Sequence, residues 1–289
     1  MSPSVKPFFD STTSTFSYVV FDEQKRVGVI IDPVLDFDLA SGEVSYQSAE
    51  KLLAFITKEK LTIEWILETH AHADHLSAAQ FLRLHTHAKV AIGAGIINVQ
   101  KTFKTVFNLA ENFATDGSQF DHCFDDDETF ILGSFDVKVL PTPGHTNDSV
   151  TYLIGDAAFI GDTLFHPEVG TARCDFPGGD AHMLYQSIQK LLNLPKQTRL
   201  FLCHDYPENN RQPTCQVSIE EQCAENIHVK DSYSEKDFIT VRQTRDKQMA
   251  VPKLLYPSVQ VNIAAGNLPK AESNQQVYLK LPVTNTEKK

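Results

Sequence analysis

A short stretch near position 70 constrains this chain more than any other part of its sequence. The seven residues from Thr69 to His75 read THAHADH and contain three imidazoles and one carboxylate. They directly follow the largely apolar run Ile63 to Leu67, which predicts a strand. If a strand leads directly into this stretch, several polar side chains lie close together just after the end of the strand. This density of histidine and aspartate predicts a metal site rather than a polar loop.

The periods of regular structure predict how these side chains are aimed. An extended chain points alternate residues to the same side, so His70 and His72 would face together. The run from Leu76 to Leu82 has helical spacing and predicts a helix that starts near Asp74, with Asp74 and His75 in its first turn. A strand end followed by a helix start would aim all four side chains at one or two metal ions.

The remaining sequence alternates strand-like and helix-like segments, which is an α/β order. A hairpin formed by Phe16–Asp22 and Val27–Pro33 precedes a helix over Gln47–Lys58. The C-terminal part is irregular, and Val259–Ile263 within it is typical of a short strand. The sequence contains no internal repeat and no low-complexity linker, so a separate second domain is not indicated.

Three further ligand-type side chains follow strand-like runs. His145 lies in the turn-rich loop PTPGHT, Asp162 ends the strand that reaches Gly161, and His204 follows the strand-like run RLFLC. Because strand ends meet at one edge of an α/β layer, we expect these side chains to join those of THAHADH. The sequence lacks the motifs of P-loop, dinucleotide-binding and nucleophile-elbow sites, so those function classes lose support.

Composition narrows the class of protein. The 289 residues carry a net charge of -11 and a pI near 5.4, which argues against a nucleic-acid-binding surface. No apolar run approaches the roughly 18 residues that a membrane span needs, and the N-terminus has no signal-peptide pattern. The five cysteines are scattered, which favours reduced thiols. We therefore expect a soluble cytoplasmic protein with no nucleic-acid or membrane partner.

The order THAHADH, GHT, GD and a final histidine, running from Thr69 to His204, resembles the motif pattern of the metallo-β-lactamase superfamily. The resemblance implies an α/β fold of the four-layer αβ/βα sandwich type, with the metal site at one edge. It further implies that residues 1–250 form the catalytic domain and that residues 251–289 are a C-terminal extension packed on the same domain.

Within the superfamily, the chain is similar to the bacterial glutathione-dependent persulfide dioxygenases, also called sulfur dioxygenases. The similarity rests on ETHAHADHLSAA, GTARCDFPGGD, CHDY and VRQTRD. It implies oxidation of glutathione persulfide by O2 to sulfite and glutathione at one Fe(II) per chain, in sulfide detoxification, and it implies a homodimer. The alternative is the related glyoxalase II, a hydroxyacylglutathione hydrolase with a dinuclear Zn(II) site.

Carried over to this sequence, the resemblance makes His70, His145 and Asp162 the iron ligands and catalytic residues. Two imidazoles and one carboxylate occupy one face of Fe(II) and leave positions open for the persulfide sulfur and O2. In the dioxygenase the remaining ligand-type side chains would surround the iron, and in the hydrolase they would help to bind two zinc ions. These side chains are His72, Asp74, His75 and His204. Since all seven are present, the ligand set alone does not separate the two metal centres.

Glutathione carries two carboxylates, so an acidic protein needs placed cations to bind it. Guanidinium groups bind carboxylates in a bidentate manner, which makes Arg173, Arg242 and Arg245 candidates for substrate binding. Tyr206 follows the last histidine closely and would reach the substrate with its hydroxyl. The alternative for Arg173 is an ion pair with Asp175, and for the other two arginines it is a solvated helix face.

Overall fold

The computed structural model describes residues 2–207, 211–230 and 234–283. Its strands and helices are numbered here in chain order. The strands are β1 (Ser4–Asp10), β2 (Thr15–Asp22), β3 (Val27–Ile31), β4 (Val34–Asp38), β5 (Glu43–Ser45), β6 (Thr62–Leu67), β7 (Leu76–Ser77), β8 (Lys89–Gly93), β9 (His122–Phe124), β10 (Thr129–Leu132), β11 (Phe135–Pro141), β12 (Val150–Ile154), β13 (Ala157–Phe159), β14 (Arg199–Phe201) and β15 (Gln216–Ser218). The helices are α1 (Gln47–Glu59), α2 (Ala79–Thr86), α3 (Ile96–Val106), α4 (Ala181–Leu192), α5 (Ile219–Glu225), α6 (Glu235–Asp246) and α7 (Leu255–Asn262).

Two six-stranded sheets form the centre of the molecule. The first has the order β1-β2-β3-β6-β8-β9 and becomes parallel from β3 onward. The second has the order β10-β11-β12-β13-β14-β15 and is antiparallel except at the β13–β14 pair. A small sheet of β5, β4 and β7 lies beside them.

Side chains from both sheets pack into a shared apolar layer, which includes Tyr18 and Leu67 from the first sheet and Tyr152 and Phe159 from the second. On strand β2, Val19 faces the opposite way and packs with residues of α1, α2, α3 and α7. The outer face of the second sheet packs against α4, α5 and α6. Helices therefore cover both outer faces, and the expected α/β sandwich of four layers, αβ/βα, is confirmed.

The helix expected to start near Asp74 begins only at Ala79, so that prediction is wrong. The side chain of Asn262 binds the backbone that a longer helix would need. Its Oδ1 accepts a hydrogen bond from the Ser77 N–H at 2.8 Å, and its Nδ2 donates to the carbonyl of His75 at 2.8 Å. The segment that carries Asp74 and His75 is consequently a loop.

The prediction of a strand over Val259–Ile263 is also wrong, because these residues belong to helix α7 and its C-cap. All side chains from Pro257 to Asn262 are buried, so this part of the helix has no exposed polar face. The alternation of apolar and polar residues that identifies a surface helix is therefore absent from the sequence. Residues 284–289 of the predicted C-terminal extension lie outside the described residues, and the boundary at residue 250 stays a prediction. Among the described helices, none combines the length and apolar character required to cross a membrane.

Candidate metal centre

The seven ligand-type side chains converge at one edge of the two sheets. His70, His72, Asp74 and His75 follow strand β6, whereas the other three lie after strands of the second sheet. His145 belongs to the loop after β11, Asp162 follows β13, and His204 follows β14. Only Asp74 is partly exposed, and the other six are buried. The structure thus brings together every ligand that the sequence predicts.

One group of donors surrounds a single oxygen of Asp162. Its Oδ2 atom lies 3.5 Å from His145 Nε2 and 3.9 Å from His70 Nε2. These separations exceed the usual hydrogen-bond length but suit donors that share an ion at roughly 2.0–2.2 Å. His70, His145 and Asp162 therefore form a compact three-donor group.

The other oxygen of Asp162 faces a second group of donors. Its Oδ1 atom lies 3.4 Å from His204 Nε2, which is in turn 3.3 Å from Asp74 Oδ2. The His75 ring lies near this group, with its centroid 6.0 Å from that of His204. The two oxygens of Asp162 thus face two adjacent sets of donors.

Hydrogen bonding tests whether these donors fit a metal. His75 Nδ1 pairs with the Leu76 carbonyl, His145 Nδ1 with the Arg173 carbonyl, and His72 Nε2 with a carboxylate, so each ring has one nitrogen held by the protein. On the central side, several buried atoms have no hydrogen-bond partner among the described residues. They are His70 Nε2, His72 Nδ1, Asp74 Oδ2, His75 Nε2, Asp162 Oδ1 and His204 Nε2. Orphaned lone pairs of this kind, with the opposite nitrogen anchored, fit a metal-binding site.

Asp32, which sequence reasoning missed, anchors the first part of the THAHADH loop. Its carboxylate accepts hydrogen bonds from the Thr69 N–H at 2.7 Å, the Thr69 hydroxyl at 2.9 Å and His72 Nε2 at 3.0 Å. Burial alone would raise the pKa of Asp32, but the charge and the hydrogen bond of His72, together with the two hydrogen bonds of Thr69, outweigh it and lower the pKa. Asp32 thereby leaves His72 Nδ1 facing the centre.

The surroundings keep two ligand histidines neutral. Burial, reinforced by the charges of the neighbouring histidines, lowers the pKa of His70 well below its usual range and that of His75 to about 3. The pKa values of His72 and His204 change in the opposite direction, because the carboxylate of Asp32 for His72, and those of Asp162 and Asp74 for His204, outweigh the effect of burial and raise them, so these two rings would release a proton when a metal binds. Neutral imidazole is the form that binds a metal ion.

Two glycines explain the GHT and GD motifs sterically. Gly144 has φ +136°, and a Cβ there would lie 2.3 Å from the backbone of Leu184 in helix α4. Gly161 has φ +50°, and a Cβ there would lie 2.8 Å from Thr69 Oγ1. A side chain at either position would push a ligand-bearing loop away from its neighbours.

A pocket of about 360 Å³ opens beside the donors, and Asp74, His145 and Asp162 form part of its lining. Its walls are mainly apolar and include Phe165 and Phe176. Tyr206 also lines the pocket, is 43% exposed, and stacks on His204 with ring centroids 5.9 Å apart. An organic ligand in this pocket would lie directly against the donor atoms.

The three arginines predicted to bind substrate all line this pocket but differ in their partners. Arg173 pairs with Asp175 through two hydrogen bonds of 2.6 and 2.8 Å, so the alternative ion pair is present. Arg242 is buried rather than solvated, and its guanidinium donates to Asp246 and to the Thr171 carbonyl. Arg245 is exposed and has no ion-pair or hydrogen-bond partner for its guanidinium among the described residues.

Other supporting residues were also missed in the sequence. Asp32 follows the strand-like run VGVII, the same signal that identified Asp162, and could have been found that way. Asp148, whose carboxylate accepts the Ala71 N–H at 2.7 Å, carries no comparable signal. Neither does Asn262, which acts on a loop 187 positions earlier.

Comparisons with known proteins agree with this geometry. The family profile of the metallo-beta-lactamase superfamily matches residues 11–204. A protein named Glyoxylase B2 from Dictyostelium discoideum is 48% identical over 96% of this chain and 96% of its own length. The human mitochondrial persulfide dioxygenase ETHE1 is 29% identical over 70% of this chain and 68% of its own length. The crystal structure of ETHE1 from Myxococcus xanthus matches with a TM-score of 0.72 and 31% identity, covering 91% of this chain and all of that one.

Proposed function

Because this chain belongs to the metallo-β-lactamase superfamily, we propose that it is a metal-dependent enzyme that acts on a glutathione-linked sulfur compound. The observation that carries the proposal is the pocket beside the metal centre. Its lining combines apolar walls, two donor carboxylates and the guanidinium of Arg245, which has no partner within the described part of the chain. This combination suits a substrate whose sulfur reaches the metal while a carboxylate binds the arginine.

Hydrolysis of a hydroxyacylglutathione thioester is the candidate that the comparisons favour. The relative named Glyoxylase B2 is similar along nearly the whole chain. The division of the donors by the two oxygens of Asp162 also suits a pair of metal ions. One group would include His70 and His145, and the other Asp74, His75 and His204. The His72 ring lies between them, with its centroid 4.0 Å from that of His70 and 4.1 Å from that of His75. When bound, a pair of zinc ions lowers the pKa of a water molecule and polarises the thioester carbonyl.

In this candidate, the chain's own residues bind and orient the thioester. Phe165 and Phe176 exclude water from the acyl group, and the Tyr206 hydroxyl donates a hydrogen bond to the bound substrate. Arg245 binds one carboxylate of glutathione. The anchored imidazoles keep their free nitrogens directed at the centre, which limits reorganisation during the reaction.

Oxidation of glutathione persulfide by O2 is the second candidate. The match to ETHE1 from Myxococcus xanthus, which extends over the full length of that protein, favours it. The compact group of His70, His145 and Asp162 has the donor composition typical of iron oxygenases, two histidines and one carboxylate. When bound to this group, Fe(II) offers open positions for sulfur and O2. His72, Asp74, His75 and His204 would then line the site without being required as ligands.

Metal content and two assays on one anaerobically purified sample test these candidates. About two metal ions per chain with thioester hydrolysis would support the hydrolase, whereas about one iron with O2 uptake on glutathione persulfide would support the dioxygenase. Absence of both activities from metal-loaded protein would contradict the proposal as a whole.

The variant His75→Ala sharpens the distinction, because His75 belongs only to the second donor group. It should reduce hydrolysis about 100-fold if two ions are needed, and reduce dioxygenation far less. The matched control is His85→Ala, which removes an exposed histidine of helix α2 and should change neither activity.

A further inference from the structure

The imidazole of His204 has one nitrogen that faces the metal donors, and its other nitrogen contacts the turn between strands β1 and β2. Its Nδ1 atom lies 3.2 Å from Thr15 Oγ1 and 3.3 Å from the carbonyl oxygen of Ser14. The His204 and Thr15 side chains are completely buried. Since a carbonyl oxygen only accepts, Nδ1 carries a hydrogen, and Nε2, which faces Asp74 and Asp162, is the nitrogen left to bind a metal.

The hydroxyl of Thr15 continues this contact toward the surface. The Thr13 hydroxyl donates to Asp10 Oδ2 at 2.7 Å, which uses its only proton. Thr13 Oγ1 also lies 2.7 Å from Thr15 Oγ1, so in this pair Thr15 is the donor, and the Thr13 carbonyl oxygen at 3.4 Å is its more distant second acceptor. The Thr15 oxygen is then free to accept from His204 Nδ1. Every hydrogen bond in the series points from His204 toward the carboxylate of Asp10.

We propose that Thr15, Thr13 and Asp10 form a relay that positions His204 as a metal ligand and increases the electron density on its Nε2 atom. A carboxylate at the end of a polarised series of hydrogen bonds strengthens the preceding donors. The relay fixes both the tautomer and the ring orientation of His204. Asp10 and Thr13 line a surface pocket of about 360 Å³, so the carboxylate that acts on the buried ligand borders solvent. The inference rests on the proposed function only in requiring a metal at His204.

Zinc affinity of the full chain, measured by competition with a chromophoric chelator, tests the relay without any substrate. Thr15→Val keeps the side-chain shape but removes the hydroxyl, and should weaken binding of the more weakly held ion about 10-fold. Thr15→Ser restores a hydroxyl and should stay within about twofold of the parent. The absorption spectrum of the Co(II)-loaded protein should change in the valine variant and not in the serine variant. Equal unfolding midpoints of the metal-free proteins would separate this effect from general destabilisation.

Asp10→Asn tests the far end of the relay and decides the question if the Thr15 variant does not fold. It should weaken zinc binding about threefold, because the neutral amide polarises the hydroxyls less. The matched control is Asp38→Asn, since Asp38 accepts the Ser41 hydroxyl in a similar surface turn that does not lead to His204. Parent-like zinc affinity of Thr15→Val, equal loss in the serine variant, or identical behaviour of Asp10→Asn and Asp38→Asn would overturn the inference. Because no substrate is used, such a failure leaves the proposed reaction untouched, and failure of the reaction leaves zinc binding measurable.

Discussion

At the scale of single residues, Arg245 is the side chain whose substitution tests substrate binding most directly. Arg173 and Arg242 have internal partners, whereas the Arg245 guanidinium has none among the described residues. Arg245→Gln should raise KM for the glutathione-linked substrate about 10-fold and change kcat less than about twofold, since a charged hydrogen bond to a carboxylate is lost. Steady-state kinetics with the active substrate measures both constants.

The matched control for Arg245 is Lys247→Gln. Lys247 lies two positions further on but lines a neighbouring pocket beside Cys174 and Asp180. Its substitution changes the net charge equally and should leave KM unchanged. If both variants raise KM to the same extent, a general electrostatic effect rather than a carboxylate contact explains the result.

Single residues also differ in how well the sequence predicts them. The convergence of the seven ligand-type side chains could be predicted because each follows a strand-like run, and local order is visible in sequence. The ion pairs of Arg173 with Asp175 and of Arg242 with Asp246 are local in sequence, and the first was predicted as an alternative. The hydrogen bond of Arg242 to the Thr171 carbonyl joins segments that are distant in sequence, and local order does not predict it. The roles proposed for these arginines and Tyr206 in substrate binding stay predictions.

At the scale of elements, helix α7 supports the metal-binding loop through Asn262. Its amide donates to the carbonyls of His72 and His75 and accepts the Ser77 N–H, each at 2.8 Å. Asn262→Ala leaves these buried groups unpaired and should lower the free energy of unfolding by about 3 kcal/mol. It should also weaken zinc binding, because the loop that carries three ligands loses its support. Urea unfolding and chelator competition measure the two effects.

Asn267→Ala provides the comparison for this variant. Asn267 is exposed and donates its amide to the Ala264 carbonyl just after the same helix. Its removal should change the free energy of unfolding by less than about 0.5 kcal/mol. Similar losses in both variants would mean that Asn262 does not support the loop.

Elements with a clear local pattern were predicted well from sequence. Helix α1 has one buried face and agrees closely with its apolar period, and the β2–β3 hairpin agrees with its two apolar runs, although both strands are buried on both faces. The two errors share one cause. The loop before Ala79 is set by hydrogen bonds from α7, and α7 itself is buried on all sides, so both depend on packing between distant segments. Local periodicity contains no information about such packing.

At the scale of the whole molecule, the metal centre connects the two halves of the sandwich. His70 and His72 follow a strand of the first sheet, whereas His145, Asp162 and His204 follow strands of the second. The strand ends that carry these ligands could be predicted from local sequence, whereas the pairing of the two sheets into four layers depends on contacts between distant segments and was predicted only from the family resemblance. A bound ion acts as a link between sheets that otherwise meet through apolar side chains.

Removal of the metal should therefore destabilise the entire fold. Ions that bind only the folded state add about 4 kcal/mol when their free concentration is 1,000 times Kd, which corresponds to roughly 10 °C in Tm for a chain of this size. Calorimetry of zinc-loaded protein with and without a chelator measures the difference. The triple variant His145→Ala/Asp162→Ala/His204→Ala removes the second-sheet donors of both groups, so the chelator should lower its Tm much less. A chelator effect of unchanged size in the triple variant would mean that the ion does not link the sheets, and the two sheets would then be held together by their apolar layer alone.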